Sequence, residues 1–135
     1  MLVGKACPVV TRAAGHGTLD LLVFRHPLAG MQLVKGTIES GESAAEAALR
    51  ELHEESGVKA AIAADLRSST SIAAGEKWHF FHCSAEGLAE NWTHHTADGG
   101  GLDFAFSWWP LRRPATAEWH PVFVRALGYV AAALG

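Results

Sequence analysis

Cysteine is scarce in this chain: Cys7 and Cys83 are the only two among 135 residues. Two thiols so far apart supply neither a disulfide framework nor a zinc-ligand set, and a reducing cytoplasm is their simplest setting. Long apolar runs are missing as well; none approaches the roughly 20 residues of a membrane span. The opening MLVGKACPVV has an early Lys5 and neither an extended apolar stretch nor a small-residue cleavage site. No secretory leader is therefore expected. Tyrosine occurs once, at Tyr129, and no proline falls between Pro27 and Pro110. The net charge is only −3, which alone says little.

What is present is concentrated. Hydrophobic residues make up 49% and charged residues 19%, a globular composition. At 135 residues the chain is read as one domain, 1–135, with a core of its own. The charge is uneven. Residues 36–58 hold six glutamates and one arginine, a balance of −5, which leaves +2 for the remainder. One short segment thus carries the whole acidic excess, a pattern that suits a cation site.

Short apolar runs at 7–11, 19–24, 31–34, 66–72, 78–84, 91–96 and 103–109 predict strands, with a turn at Asp98–Gly101. A helix is predicted from Ser43 to Gly57. Ser43 and Glu46 have the spacing of a capping box, alanines follow, and Gly57 stands where a left-handed cap is needed. From Pro121 onward Val122, Leu127, Val130, Ala131 and Leu134 recur at helical spacing, with proline in the first turn. The elements predict a mixed α/β domain.

On a helical wheel Ala45, Ala48, Leu49 and Leu52 share the core face. Glu51, Glu54 and Glu55 line a strip beside it, and Arg50 is free to pair with Glu54 or Glu46. Like charges at this spacing cost about 0.2–0.5 kcal/mol per pair. Acids at a helix C-terminus add roughly 0.3–1 kcal/mol each. A divalent cation reverses the sign, because hard cations favour carboxylate oxygen. A glutamate run alone is more often a solvated surface, so its context has to decide.

Reading outward, GTIESGESAAEAALRELHEESGV places Gly36, Glu42, Arg50, Glu51, Leu52, Glu54, Glu55, Gly57 and Val58 at fixed intervals. This resembles the signature of the Nudix hydrolase family, and every constrained position matches. The resemblance implies an α/β/α sandwich with a mixed central sheet, a catalytic loop–helix–loop and a C-terminal helix. It implies that Glu51, Glu54 and Glu55, with the Gly36 carbonyl, bind Mg²⁺ or Mn²⁺. Arg50 would hold the carboxylates and Glu42 would support the loop. The implied reaction is attack of water on phosphorus in a nucleoside diphosphate linked to another group, dinucleoside polyphosphates and nucleoside triphosphates included. Family members differ in which carboxylate is the base; outside the signature Glu76, Glu86, Asp103 and Glu118 are candidates. The alternative is a non-catalytic nucleotide-sensing or scaffold domain, against which the intact acid set argues.

The stretch from Val34-Lys35-Gly36 to Glu42 resembles members acting on dinucleoside polyphosphates, inositol polyphosphates and capped RNA, although Val34 replaces their proline. The downstream tyrosine of diadenosine polyphosphate hydrolases and the downstream proline of ADP-ribose members are both missing. Lys35 and Arg25 are candidate phosphate contacts. Trp92, beside Asn91 and Thr93, is the preferred base-stacking candidate among five tryptophans, against core packing as the commoner role. His79, His82, His94 and His95 read as ordinary polar positions rather than zinc ligands. The expected partner is a small nucleotide or diphosphate, with no membrane and no DNA. The resemblance also admits a homodimer.

Overall fold

The structure is a computed structural model that describes residues 1–97 and 100–135. The strands are β1 (Val3–Ala13), β2 (Leu19–His26), β3 (Gly30–Gln32), β4 (Gly36–Thr37), β5 (Ala61–Ser69), β6 (Glu76–Ser84), β7 (Trp92–Thr96) and β8 (Leu102–Pro110). Two helices, α1 (Ala44–Ser56) and α2 (Pro121–Leu134), complete the described elements. The sheet runs β5-β6-β1-β2-β8-β7, with β3 on β2 and β4 on β1. Among the described strand pairings β1–β6 is parallel and the others are antiparallel.

Strand alternation builds two cores. Cys7 and Val9 of β1, Leu21 and Val23 of β2, and Trp78 and Phe80 of β6 pack with Phe123, Ala126, Leu127 and Val130 of α2. Their neighbours Ala6, Val10, Leu22, Phe24, Phe81 and Cys83 pack with Ala47, Ala48 and Leu52 of α1. One helix therefore covers each face, the expected α/β/α sandwich. Helix α2 is also tied to the β5 side by Tyr129 Oη–Leu66 O and Arg125 Nε–Ile72 O, both 2.6 Å.

The sheet forks at β1. Near its start β1 pairs with β4 (Lys5↔Thr37, Ala6↔Gly36), and near its end with β2 (Thr11↔Leu21 to Ala13↔Leu19). Strand β2 leaves β1 in turn and pairs with β3 through Phe24, Arg25 and His26. The link from β3 to β4 therefore crosses the fork. Leu33 and Val34 fill it, one in each core. Among the described residues, β6 alone pairs with β1 at Pro8, an edge that tolerates a missing backbone donor.

The local signals of α1 hold. The Ser43–Glu46 capping box is complete, and Gly57 adopts φ 78° while its N–H bonds to His53 O. Three expectations change. The strand placed at 66–72 is Ala61–Ser69, an exposed edge with two register shifts and Arg67 at φ 72°. Ile72 misled the reading: it lies in the following turn and plugs the α2 core. On α1 the buried stripe is Ala47, Ala48, Leu52, Glu55 and Ser56; Ala45 and Leu49 are half-buried beside it. The α2 stripe is Phe123, Ala126, Leu127 and Val130, with Val122, Ala131 and Leu134 at its margin. The turn expected over Asp98–Gly101 falls in part on Asp98 and Gly99, which lie outside the described residues.

Leu52 seats the acid-bearing helix on the sheet. Leu52→Ala should lower unfolding free energy by about 2–5 kcal/mol, measured by urea denaturation.

Candidate active site

Gly36 opens β4 in the fork, and α1 lies across it. A Cβ on residue 36 would sit 2.0 Å from the Glu51 carboxyl carbon. Only glycine admits the carboxylate there. The sheet centre and the acids of α1 therefore meet at one backbone position.

Arg50 organises the acids. Its Nε and Nη2 bind both Glu42 oxygens, at 2.7 and 3.0 Å. Its Nη1 binds Glu51 Oε1 at 2.9 Å and Glu54 Oε2 at 3.2 Å, and lies 3.7 Å from Glu39. Nη2 also donates to Thr37 O at 3.1 Å. One guanidinium thus joins the loop after β4 to two successive turns of α1. Glu46 is not among these partners, because its carboxylate accepts the Ser43 N–H at 2.9 Å. Glu42 in turn accepts the Glu39 N–H at 3.0 Å, closing the loop. The Arg50 hydrogen bonds, aided by that backbone donor, hold the Glu42 carboxyl below its ordinary range.

The three acids differ in exposure. The Glu51 side chain is 13% exposed and that of Glu54 49%, while Glu55 is buried. Glu51 and Glu54 each commit one oxygen to Arg50, and their second oxygens make no hydrogen bond among the described residues. No three His, Cys, Asp or Glu side chains among the described residues form a ready-made metal cage. The donor set nevertheless fits a hard divalent cation. Mg²⁺ typically keeps several waters and takes one or two carboxylates, completing its shell on substrate phosphates.

The C-terminal end of α1 is held from β7. Trp92 Nε1 donates to Ser56 O at 2.9 Å and His94 Nε2 to Glu54 O at 3.1 Å. Ser56 Oγ bonds back to Leu52 O and accepts the Val58 N–H. These donors satisfy carbonyls that a helix end leaves open. Sequence reading missed this role of His94; its only signal was a polar residue two positions after Trp92.

The residues expected to touch substrate lie in three places. Lys35 lines a cleft of about 260 Å³ with Gln32, Glu76, Trp78 and His120. Lys35 directly precedes Gly36 in the chain, and Trp78 and Phe123 place the cleft on the α2 side of the sheet. Arg25 binds Glu118 at 2.7 Å and lines a separate groove with Trp108 and Arg113. Trp92 stacks on Phe106 with ring centroids 5.2 Å apart, and its indole N–H is committed to α1. Of the base candidates, Asp103 bonds to His95 at 2.7 Å and Glu118 to Arg25. Glu86 borders a groove at the end of α1, and Glu76 stands in the Lys35 cleft.

The NUDIX domain model matches residues 3–127. The chain belongs to the NUDIX domain family. No curated protein matches it. Among solved structures, an ADP-ribose pyrophosphatase from Streptococcus suis aligns over 99% of this chain and 92% of its own, with a TM-score of 0.73 and 11% identity. A NUDIX-family hydrolase from Clostridium perfringens aligns over 100% and 99%, with a TM-score of 0.69 and 11% identity. The Ap4A hydrolase of C. elegans covers 100% of both chains, with a TM-score of 0.64 and 17% identity. At these identities the likeness concerns the fold.

The Glu42–Arg50 link carries a sign in pH. A carboxyl depressed in the folded state stabilises fully above its unfolded value, near 4.3, and loses that contribution as pH falls through the lower folded value. Melting temperature should therefore drop between neutral and acid pH. Arg50→Met should flatten the part of that drop owed to Glu42, read by melting curves across pH.

Proposed function

We propose that this NUDIX domain, spanning 1–135, is a metal-dependent nucleotide pyrophosphohydrolase. One observation carries the reading. Arg50 aligns Glu51 and Glu54 by one oxygen each and leaves their second oxygens for a cation, against a glycine that lets the carboxylate reach the loop.

In this reading Glu51, Glu54, Glu55 and the Gly36 carbonyl hold Mg²⁺ or Mn²⁺. The ion, when bound, neutralises diphosphate charge, acidifies a water and stabilises the leaving oxygen. The chain's own groups do the rest. Arg50 fixes the acids before substrate arrives, so they need no reorganisation during reaction. Glu42 keeps Arg50 placed by accepting two of its hydrogen bonds. The Lys35 ammonium, one residue from Gly36, binds a phosphate oxygen. A carboxylate takes the proton of the attacking water; Glu54 is the most exposed of the three signature acids. Glu76, in the Lys35 cleft, remains the alternative base outside the signature.

The substrate is a small nucleotide or other diphosphate, not DNA. No described helix is long and apolar enough to cross a membrane. Both cysteines are free and buried, and burial pushes the Cys83 thiol up to about 11. Such unreactive thiols suit a reducing cytoplasm.

Glu54→Gln and Glu55→Gln should each lower metal-dependent turnover by about 10²-fold or more with folding intact by circular dichroism. The assay is phosphate release from nucleoside triphosphates, nucleotide sugars and dinucleoside polyphosphates with Mg²⁺ and Mn²⁺. Near-wild-type rates in both variants would sink the site. Absence of turnover across the panel would favour a nucleotide-sensing role.

A further inference from the structure

Arg50 fixes the Glu54 carboxylate, but the backbone that carries it sits in the last turn of α1, where helices fray. The N–H groups that a helix would turn toward Glu54 O are committed elsewhere. Gly57 N–H goes to His53 O and Val58 N–H to Ser56 Oγ. The donor to Glu54 O comes instead from β7, 40 residues away in sequence, where His94 Nε2 stands 3.1 Å from it. A carbonyl only accepts, so Nε2 carries the proton.

The second signature glycine builds the seat of this imidazole. A Cβ on residue 57 would crowd His94 Nδ1 at 3.1 Å and Cε1 at 3.2 Å. Glycine there both turns the chain at φ 78° and admits the ring. The pairing of His94 with Phe104 in β8 fixes which β7 residue reaches the helix. One planar peptide unit joins the Cα atoms of Glu54 and Glu55. Holding its carbonyl therefore holds the directions in which both acids leave the helix.

Resting on the reading that Glu54 and Glu55 hold a divalent cation, we propose that His94 is a positioning residue for that cation site. It touches neither the ion nor the substrate. It fixes the peptide between two ligands, so the acids are placed before a cation arrives and the affinity for it rises.

Mn²⁺ titration of the whole chain without nucleotide, read from the electron paramagnetic resonance signal of the free ion, tests this apart from turnover. His94→Phe keeps a ring over Gly57 and removes the donor. It should weaken Mn²⁺ binding about tenfold, the lower end of what groups that orient metal ligands contribute. His94→Gln carries an amide N–H at similar reach and should restore wild-type affinity. His94→Ala adds no bulk beside Gly57 and should weaken binding at least as much as His94→Phe; should the Phe variant fail to fold, Ala against Gln decides. An equal loss in all three variants, or none in the two that lack the donor, overturns the positioning role and leaves the metal-dependent reading standing. A wild type that binds no Mn²⁺ overturns both. The expected order of affinities in a chain that hydrolyses nothing in the panel supports the positioning role and removes the hydrolytic reading.

Discussion

Arg50 is the one cation in a segment carrying six glutamates, and the geometry of the candidate site depends on its guanidinium. It bridges Thr37 and Glu42 in the loop to Glu51 and Glu54 on the helix. A lysine could not do this. Its single ammonium lacks the planar fork that reaches carboxylates on two sides at once. Acids that would repel one another are held by a common partner, and the loop that must approach them is tied to the same group. Organisation and charge balance are thus one interaction.

That interaction works because the sheet forks. If β1 and β2 paired along their whole length, no space would remain for Leu33, Val34 and Gly36 at the sheet centre. The fork admits the link between β3 and β4, and its two buried residues join both cores. Lys35 and Gly36 follow immediately, so the cleft and the acid strip share a short, anchored piece of chain. Glycine at 36 is required by close approach rather than by its backbone angle, since the Glu51 carboxylate occupies the space of a side chain.

Much of this was legible in the sequence, for physical reasons that differ by element. The ends of α1 were readable because capping is local: Ser43, Glu46 and Gly57 act within a turn of themselves. The NUDIX signature was readable because its spacing joins loop and helix. Edge strand β5 was not, because an exposed strand with two register shifts has no clean alternation, whereas Ile72 looked like a strand end and is a plug. The partners of Arg50 were half readable. Glu54 lies one turn away and was named. Glu42 displaced Glu46 because the capping box had already claimed the latter. The long-range pairs, Arg25 with Glu118 and Tyr129 with Leu66, left no trace in local pattern.

Trp92 has a structural role that its local sequence does not announce. An indole between polar residues looked suited to a base. In the fold it stacks on Phe106 and gives its N–H to Ser56 O, while His94 donates to Glu54 O. Both donors meet the end of α1 where acids oppose the helix dipole. Neutralising open carbonyls there removes part of the electrostatic cost that the sequence implied. The helix can then keep Glu54 and Glu55 in its last turn without a cation present. Strand β7 therefore belongs to the apparatus that holds the acids, although no residue of it occurs in the signature.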